Sequence, residues 1–307
     1  MDRVPRLLIL TAGLCSLAIF NVASIHPFNG STVQRLTTDG NQKQHPAWSP
    51  DGKLIAFTVY LKGKVGLVQM SPGASGEPSD WKHITPLDEN PEYEPSWSPD
   101  GKRIVFVHVS LSGTDGQLEI HAMNADGSDS KRIVAPAKRP AQDEHPSWSP
   151  DGKTIAFTTT RDGNQEIYLC DADGSNLRRI TTHNGIDSHP TWSPDGKQIA
   201  FTSSRFGNME ICVMAADGSN IGRLTNHPAM DYQPRWSPDG KWIAFTSTRD
   251  GESGSYEIYI IRTDGTGLRN LTEHPAIDKD PAWSPDSSRV TFVSSRDGRS
   301  DLYSIDL

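Results

Sequence analysis

Short apolar runs, each closed by a polar turn, follow one another along most of the chain. In residues 154–160, Ile155 and Phe157 alternate with smaller or polar neighbours, which is the period of two expected of a pleated strand. Turn residues bracket this run, since Pro-Asp-Gly precedes it and Arg-Asp-Gly follows it. The pattern predicts four antiparallel strands here, at 145–149, 154–160, 166–170 and 177–182.

The strand-and-turn pattern recurs around the tripeptide Trp-Ser-Pro at spacings of 44 to 51 residues. Its six tryptophans are Trp48, Trp97, Trp148, Trp192, Trp236 and Trp283. A period in this range indicates a repeat architecture, and six four-stranded sheets set about one axis make a β-propeller. We therefore predict an all-β, six-bladed β-propeller in which each Trp packs between two blades.

The two ends of the repeat region predict how the ring closes. The last repeat stops at "DLYSIDL" (301–307) and lacks a fourth strand. The segment "VQRLTT" (33–38) matches the fourth-strand sequence "LRRITT" (177–182) and precedes the first Trp-Ser-Pro. An N-terminal strand should therefore complete the last blade, so that residues 33–307 form one propeller domain.

The first 24 residues have the order of a secretory signal peptide. Two arginines precede an apolar stretch at 7–20, and the small residues Ala23 and Ser24 follow it. The stretch is shorter than the roughly 20 residues that span a bilayer, so we expect cleavage, with an uncleaved membrane anchor as the alternative. Residues 25–32 would then be a short linker, and we expect a periplasmic or extracellular monomer with no membrane span after cleavage.

Composition and charge narrow the classes of function. The 26 Gly and 22 Pro disfavour long helices. The formal net charge of −8 argues against nucleic acid as a partner, because phosphate binding needs a basic surface. Beyond the leader, the cysteines Cys170 and Cys212 fall in equivalent strands of neighbouring repeats. That separation exceeds what a disulfide spans, so buried free thiols are predicted.

Two sets of polar residues mark the predicted innermost strand of every blade. The residue before the Pro of each Pro-x-Trp sequence is, in turn, His45, Glu94, His145, His189, Gln233 and Asp280. Two residues earlier stand Lys43, Glu92, Asp143, Asp187, Asp231 and Asp278. Innermost strands line a propeller channel, so we expect these side chains to ring its mouth on the face of the Arg-Asp-Gly turns. Because their identity changes from blade to blade, we predict a partner-binding site that includes all of them except Lys43 and Glu92.

Other interpretations of these polar residues stay open. Each side chain can be structural, hydrogen-bonded to an adjacent loop that it holds against the next blade. His45, His145 and His189, with Gln233, can instead form a transition-metal site, although a six-bladed channel tends to separate them beyond bonds of about 2.1 Å. A carbohydrate-active or small-molecule enzyme would use acids and histidines in the same funnel. No cofactor or catalytic residue is predicted, since the chain has no G-x-S-x-G motif.

An acid also follows the Arg-containing turn in four repeats. The pairs are Arg161 with Glu166, Arg205 with Glu210, Arg249 with Glu257, and Arg296 with Asp301. Since the two members flank one hairpin turn, we expect cross-strand ion pairs that brace the hairpins.

The repeat "HPxWSPDGKxIAFTSxRDGxxEIYxxxxDGSxxxxLT" resembles that of the TolB family, whose namesake is the periplasmic component of the Tol-Pal envelope system. The resemblance covers residues 33–307 and implies the propeller fold. In TolB itself an α/β domain precedes the propeller. Here the closing strand comes soon after the leader, so the resemblance is to the propeller alone. It implies an exported scaffold that binds a protein partner, such as an envelope lipoprotein. The alternative is a metal-assisted carbohydrate-active or small-molecule enzyme whose site lies in the propeller funnel.

Overall fold

The computed structural model describes residues 32–88, 90–111, 116–250 and 255–307. The predicted leader (1–24) and, except for its last residue, the predicted linker (25–32) lie outside the described residues. Within them, the regular structure is β-strand apart from one turn of 3₁₀ helix at Pro78–Asp80. No helix in this described part has the length and apolar character needed to cross a bilayer.

The described strands form six four-stranded sheets, which are the blades. Strand β1 (Val33–Arg35) comes first in the chain and belongs to the sixth blade. Blade 1 contains β2 (Gln42–Trp48), β3 (Ile55–Leu61), β4 (Lys64–Met70) and β5 (Lys82–His83). Blade 2 contains β6 (Glu92–Trp97), β7 (Arg103–Ser110), β8 (Gln117–Asn124) and β9 (Lys131–Arg132). Blade 3 contains β10 (Asp143–Trp148), β11 (Thr154–Thr159), β12 (Glu166–Asp171) and β13 (Arg178–Arg179).

The remaining blades repeat this order. Blade 4 contains β14 (Asp187–Trp192), β15 (Gln198–Ser203), β16 (Glu210–Ala215) and β17 (Gly222–Arg223). Blade 5 contains β18 (Asp231–Trp236), β19 (Trp242–Ser247), β20 (Glu257–Arg262) and β21 (Arg269–Asn270). Blade 6 contains β22 (Asp278–Trp283), β23 (Arg289–Ser294) and β24 (Asp301–Asp306), with β1 as its outermost strand. The all-β, six-bladed β-propeller predicted from the repeats is confirmed.

The N-terminal strand closes the ring. It pairs antiparallel with β24, with Val33 opposite Ile305 and Arg35 opposite Tyr303. The next residue, Leu36, donates its backbone N–H to a carbonyl of β24 at 2.7 Å. The sixth sheet therefore has the order β1-β24-β23-β22, as the mismatched chain ends predicted.

The recurrent tryptophans pack between neighbouring blades. Trp97 of blade 2 lies in one apolar cluster with Leu67 and Ile84 of blade 1. Its indole N–H donates to the carbonyl of Ala47 in blade 1 at 3.2 Å, and Trp192 and Trp283 make the equivalent bond to the preceding blade. In these three cases the large ring buries apolar area while its one donor is satisfied across the blade boundary, whereas the indole N–H groups of Trp148 and Trp236 are buried without a partner among the described residues.

The outermost strands are shorter than predicted. In blade 3, pairing ends after Arg178 and Arg179, whereas the sequence indicated a strand over 177–182. The backbone of Ile180 still bonds to Ile167, but the hydroxyl of Thr181 accepts the N–H of Ile167 at 2.8 Å. A side chain thereby replaces the backbone as the hydrogen-bonding partner, and the regular ladder stops.

The two described cysteines are free, buried thiols, as predicted. Cys170 lies opposite Ile155 in blade 3, and Cys212 lies opposite Phe201 in blade 4. Burial raises the pKa of each thiol to about 12, so both stay protonated at neutral pH.

Candidate functional site in the central channel

The six residues that precede the channel prolines share an unusual backbone. His45, Glu94, His145, His189, Gln233 and Asp280 all have φ between 52° and 57°. In every blade the pairing of the first two strands shifts register at this point, which marks a β-bulge. Bulges re-aim side chains, and a left-handed conformation at a residue other than Gly costs on the order of 1–3 kcal/mol. The backbone is therefore strained at each of these six positions.

The bulged residues surround a cavity of about 250 Å³ on the propeller axis. All of them except Asp280 line it, together with Arg235, several tryptophans and the prolines of the Ser-Pro-Asp-Gly turns, such as Pro50 and Pro238. The prediction that these residues ring the channel mouth on the face of the Arg-Asp-Gly turns is therefore wrong about how far along the channel they lie. They lie inside the channel, in a cavity that extends toward the Pro-Asp-Gly turns.

Glu94 joins two histidines at one side of the channel. Its Oε1 lies 3.4 Å from Nε2 of His145 and 3.7 Å from Nε2 of His45, and its Oε2 accepts the backbone N–H of His145 at 2.7 Å. Burial by itself would raise the pKa of Glu94, but the two imidazoles and this N–H outweigh it, so the pKa lies below its ordinary value. Glu94 is therefore an ionised carboxylate inside the channel.

His145 and His189 stack on one another, with ring centroids 3.5 Å apart. Burial lowers the pKa of His145, with Glu94 opposing and His45 adding to the shift. Burial also lowers the pKa of His189 well below the ordinary value, and the neighbouring His145 and Arg235 add to the effect. Both rings are thus neutral at pH 7, and each can donate or accept a hydrogen bond.

Asp280 connects blade 6 to the blades on both sides. Its Oδ1 accepts from Nε2 of Gln233 at 2.8 Å, and its Oδ2 accepts the backbone N–H of His45 at 3.2 Å. Burial opposes ionisation of Asp280, but His45 and Lys279 overcome this and lower its pKa. Glu94 and Asp280 therefore each hold the bulge of the following blade, which supports the structural interpretation for these two residues.

The four aspartates of the second set do not point into the cavity. Asp143, Asp187, Asp231 and Asp278 are at most 2% exposed. They pair with Arg161 at 3.1 Å, Arg205 at 2.6 Å, Arg249, and Arg296 at 2.8 Å, respectively. The expectation that they stand at the channel mouth is wrong, because each carboxylate is enclosed against the arginine of its own blade's turn.

The predicted cross-strand ion pairs of these arginines are also wrong. Each arginine reaches back to the first strand of its blade, where Arg161 lies over the rings of Phe157 and Tyr168 on the way to Asp143. The acids expected to pair with them bond outward instead. Glu166 pairs with Arg179 at 2.7 Å and accepts the hydroxyl of Thr181 at 2.6 Å. Lys43, the one cation of the second set, likewise binds the buried Asp301 at 2.7 Å.

Sequence reasoning overlooked Arg235, which lines the cavity. It occupies the x of Pro-x-Trp, where the other blades have Ala47, Ser96, Ser147, Thr191 and Ala282. A comparison of the repeats at this single position would have found it. The channel prolines agree with the bulges but did not specify them, since the innermost strands are edge strands of their sheets and Pro occurs both in edge strands and at bulges.

The metal-site hypothesis gains no ligand set from the structure. Across residues 32–88, 90–111, 116–250 and 255–307, no group of three or more His, Cys, Asp or Glu side chains is arranged to hold a metal ion. Stacking turns the rings of His145 and His189 face to face, so their nitrogens do not converge on one point.

The neutral His189 should make folding depend on pH. Its pKa is lowered in the folded state, so the unfolded chain binds more protons below about pH 6.5. The stability contributed by the neutral ring is then complete above that pH and is lost as the pH falls. In His189→Gln, which puts the blade 5 residue into blade 4, this loss should disappear. The free energy of unfolding of the parent should fall relative to the variant by up to about 1.4 kcal/mol per pH unit below 6.5.

Urea unfolding of both proteins between about pH 7.5 and about pH 5 measures this difference. The other titrating groups are present in both proteins, so their contribution to the pH dependence cancels in this comparison. One of them is Glu257, because burial raises its pKa to about 7. His83→Gln, an exposed change on β5, is the matched control and should track the parent. A parent and a His189→Gln variant that lose stability in parallel would contradict the assignment.

Comparison with known proteins agrees with the repeat pattern. A family model described as the TolB beta propeller domain matches residues 78–187 and 183–257. Over 137 residues, 45% of this chain, the sequence is 34% identical to the Protein TolB homolog of Chlorobium luteolum. The matched part spans 28% of that protein's length.

Solved structures share the fold at lower identity. The putative TolB of Agrobacterium tumefaciens has a TM-score of 0.68 at 22% identity, covering 90% of this chain and 97% of its own. An oligogalacturonate lyase in complex with manganese has a TM-score of 0.61 at 18% identity, covering 91% and 93%. A fold shared by a TolB and a lyase does not choose between binding and catalysis. The family match covers more than half of the sequence and agrees with the six blades, so this chain belongs to the family of TolB beta propeller domains.

Proposed function

We propose that the chain is an exported binding protein whose channel receives a polar segment of a protein partner. The observation that carries this proposal is the variation at the six bulges. All six positions keep the same left-handed backbone, yet they hold three histidines, two acids and a glutamine. A purely structural repeat would satisfy the same geometry with the same residue, as it does at the neighbouring Pro and Trp.

The size of the cavity suits part of a partner better than a whole small ligand. Its volume of about 250 Å³ lies below the range of about 300–1,000 Å³ that is typical of small-molecule sites. Ionised Glu94, the cationic Arg235 and the neutral rings of His145 and His189 offer both donors and acceptors. One or two side chains of a larger partner would find hydrogen bonds here while its remaining surface rests on the rim.

Tyrosine pairs flank the ring on the side of the Arg-Asp-Gly turns. Tyr93 directly precedes Glu94 and lies 6.4 Å from Tyr60, and Tyr232 precedes Gln233 and lies 5.8 Å from Tyr256, between ring centroids. Tyrosine is enriched in protein interfaces because it offers a large rigid surface with a polar tip.

The family resemblance adds an envelope lipoprotein as the class of partner. The four buried aspartates are assigned to bracing the channel strands rather than to contact.

The proposal is tested by capture of partners on the immobilised mature protein, followed by titration of the captured protein in purified form. His189→Gln and Glu94→Gln should weaken binding by about tenfold or more, the effect of losing one or two good hydrogen bonds. The matched control is Lys197→Ala in the exposed Pro-Asp-Gly turn of blade 4, which should bind like the parent. Equal binding by all four proteins would show that the channel is not the site.

A further inference from the structure

Blade 5 differs from the other five blades at the residue between the channel Pro and Trp. Where the other blades place Ala, Ser or Thr between the channel Pro and Trp, blade 5 places Arg235. Arg235 lines the axial cavity beside the bulged residues. We propose that Arg235 makes the channel a carboxylate-binding site, which takes a C-terminal carboxylate or an acidic side chain of the partner polypeptide. This inference rests on the proposed function and names the chemistry of the group that is bound.

The donors of Arg235 are largely unused. A guanidinium carries five N–H donors. In the described part of the chain, Arg235 donates from Nη1 to the carbonyl of Pro234 at 3.0 Å, and no carboxylate lies within ion-pair distance of it. This differs from the turn arginines, such as Arg205 and Arg249, each of which meets a buried aspartate.

The acids of the channel are already committed to other groups. Glu94 accepts the backbone N–H of His145 and lies between two imidazoles, and Asp280 accepts from Gln233 and from the backbone of His45. They act on Arg235 only through longer-range attraction. Burial lowers the pKa of Arg235 although the two acids oppose the shift, so this half-buried cation has given up part of its hydration without gaining an ion pair. Such a group gains most from an anionic ligand.

The surroundings favour a single negative charge. A carboxylate can meet the planar guanidinium with two parallel hydrogen bonds. A dianionic phosphate would add a second charge in the field of ionised Glu94 and Asp280, and Coulomb repulsion in a partly desolvated cavity would oppose it.

The chain itself supplies a variant that should fold. Ser96 and Ser147 occupy the place of Arg235 in blades 2 and 3, so Arg235→Ser repeats a natural solution and should not lower the melting temperature. The matched control is Arg178→Ala, which removes an exposed arginine from the outermost strand β13. Arg235→Lys keeps the charge but loses the two-pronged geometry.

The experiment uses three acetylated dipeptides as probes, with the indole N–H signals of ¹⁵N-labelled protein as the readout. Trp236 and Trp283 line the cavity and should report occupancy. Acetyl-Ala-Ala with a free C-terminus and acetyl-Ala-Asp amide each carry one carboxylate, and acetyl-Ala-Ala amide carries none. We expect one or both acids to shift these signals and the amide not to. Arg235→Ser should weaken the binding by about 10- to 100-fold, as loss of hydrogen bonds between charged groups predicts, and Arg178→Ala should not.

The outcomes separate the sources of the carboxylate. Response to the free C-terminus alone assigns the site to a chain end, and response to the aspartyl amide assigns it to an acidic side chain. Equal response to the uncharged amide, or unchanged binding in Arg235→Ser, would overturn the inference. Response to galacturonate but to neither acidic peptide would also overturn it, in favour of a carbohydrate ligand. Partner capture that survives Arg235→Ser but not His189→Gln would overturn the carboxylate inference alone, whereas capture insensitive to every channel variant would overturn the proposed function.

Discussion

Deletion of residues 33–38 should lower the free energy of unfolding by about 3 to 6 kcal/mol. Leu36 and Thr37 are buried against blade 6, where the hydroxyl of Thr37 donates to Asp301 at 2.8 Å and accepts the backbone N–H of Leu302 at 3.0 Å. Without the segment, Asp301 also loses Arg35, which it binds at 2.6 Å. This range adds the free energy of burying the Leu36 side chain to that of the hydrogen bonds made to the buried carboxylate of Asp301. Urea unfolding followed by tryptophan fluorescence measures the loss.

Two single substitutions separate closure from simple shortening of the chain. Thr37→Ala removes the buried hydroxyl and should cost about 1.5 to 3 kcal/mol, because the carboxylate that it bonds to is buried. Thr38→Ala, one residue later, removes an exposed hydroxyl that bonds to Glu77 at the surface and should cost little. A deleted protein that unfolds at the same urea concentration as its parent would show that the ring does not depend on its N-terminal strand.

Replacing Asp231 by Ala should cost about 3–5 kcal/mol, the usual effect of removing one partner of a buried ion pair. Asp231 is fully buried, accepts the hydroxyl of Ser247 at 2.6 Å and pairs with Arg249, whose guanidinium also lies over the rings of Phe245 and Tyr259. After substitution, Arg249 would keep its charge in a poorly solvated place. Chemical unfolding at pH 7 gives the change in free energy.

Asp250→Ala is the matched control, because Asp250 belongs to the same turn but is exposed and bonds only weakly to Asn270 at 3.2 Å. The double variant Asp231→Ala with Arg249→Met should be more stable than the single Asp231→Ala variant, since it removes the unpaired charge as well. A single variant as stable as the control would show that the buried pair does not brace the channel strand.

The prediction of the wrong acid for the turn arginines shows the limit of local reasoning. Arg161 lies five residues from Glu166 in sequence and eighteen from Asp143, so the hairpin partner was the nearer choice. In the folded blade, the first and third strands both flank the second. The arginine can therefore reach either acid, and it selects Asp143 because its path crosses two aromatic faces while Glu166 is taken by Arg179.

The candidate site was predicted in part. The six residues before the channel prolines are brought together around the axis, as their place in the repeat indicated. The bulges were not predicted, because the innermost strands are edge strands, in which a Pro is tolerated with or without a bulge. Arg235 was not predicted, because it follows the channel Pro, at a position where the other five repeats have Ala, Ser or Thr.

The sequence by itself determined the number of blades, the four-strand order of each and the strand that closes the ring, since these follow from repeated turns and alternating apolar positions along one dimension. The tertiary structure alone decided which side chains face the channel and which are buried in ion pairs. A one-residue bulge in each innermost strand changes which face of the sheet a side chain takes, and that change depends on contacts with the preceding blade. The direction of each side chain, its depth in the channel and the charged group that it pairs with depend on how the strands pack around the axis. The sequence of a single repeat therefore does not specify them.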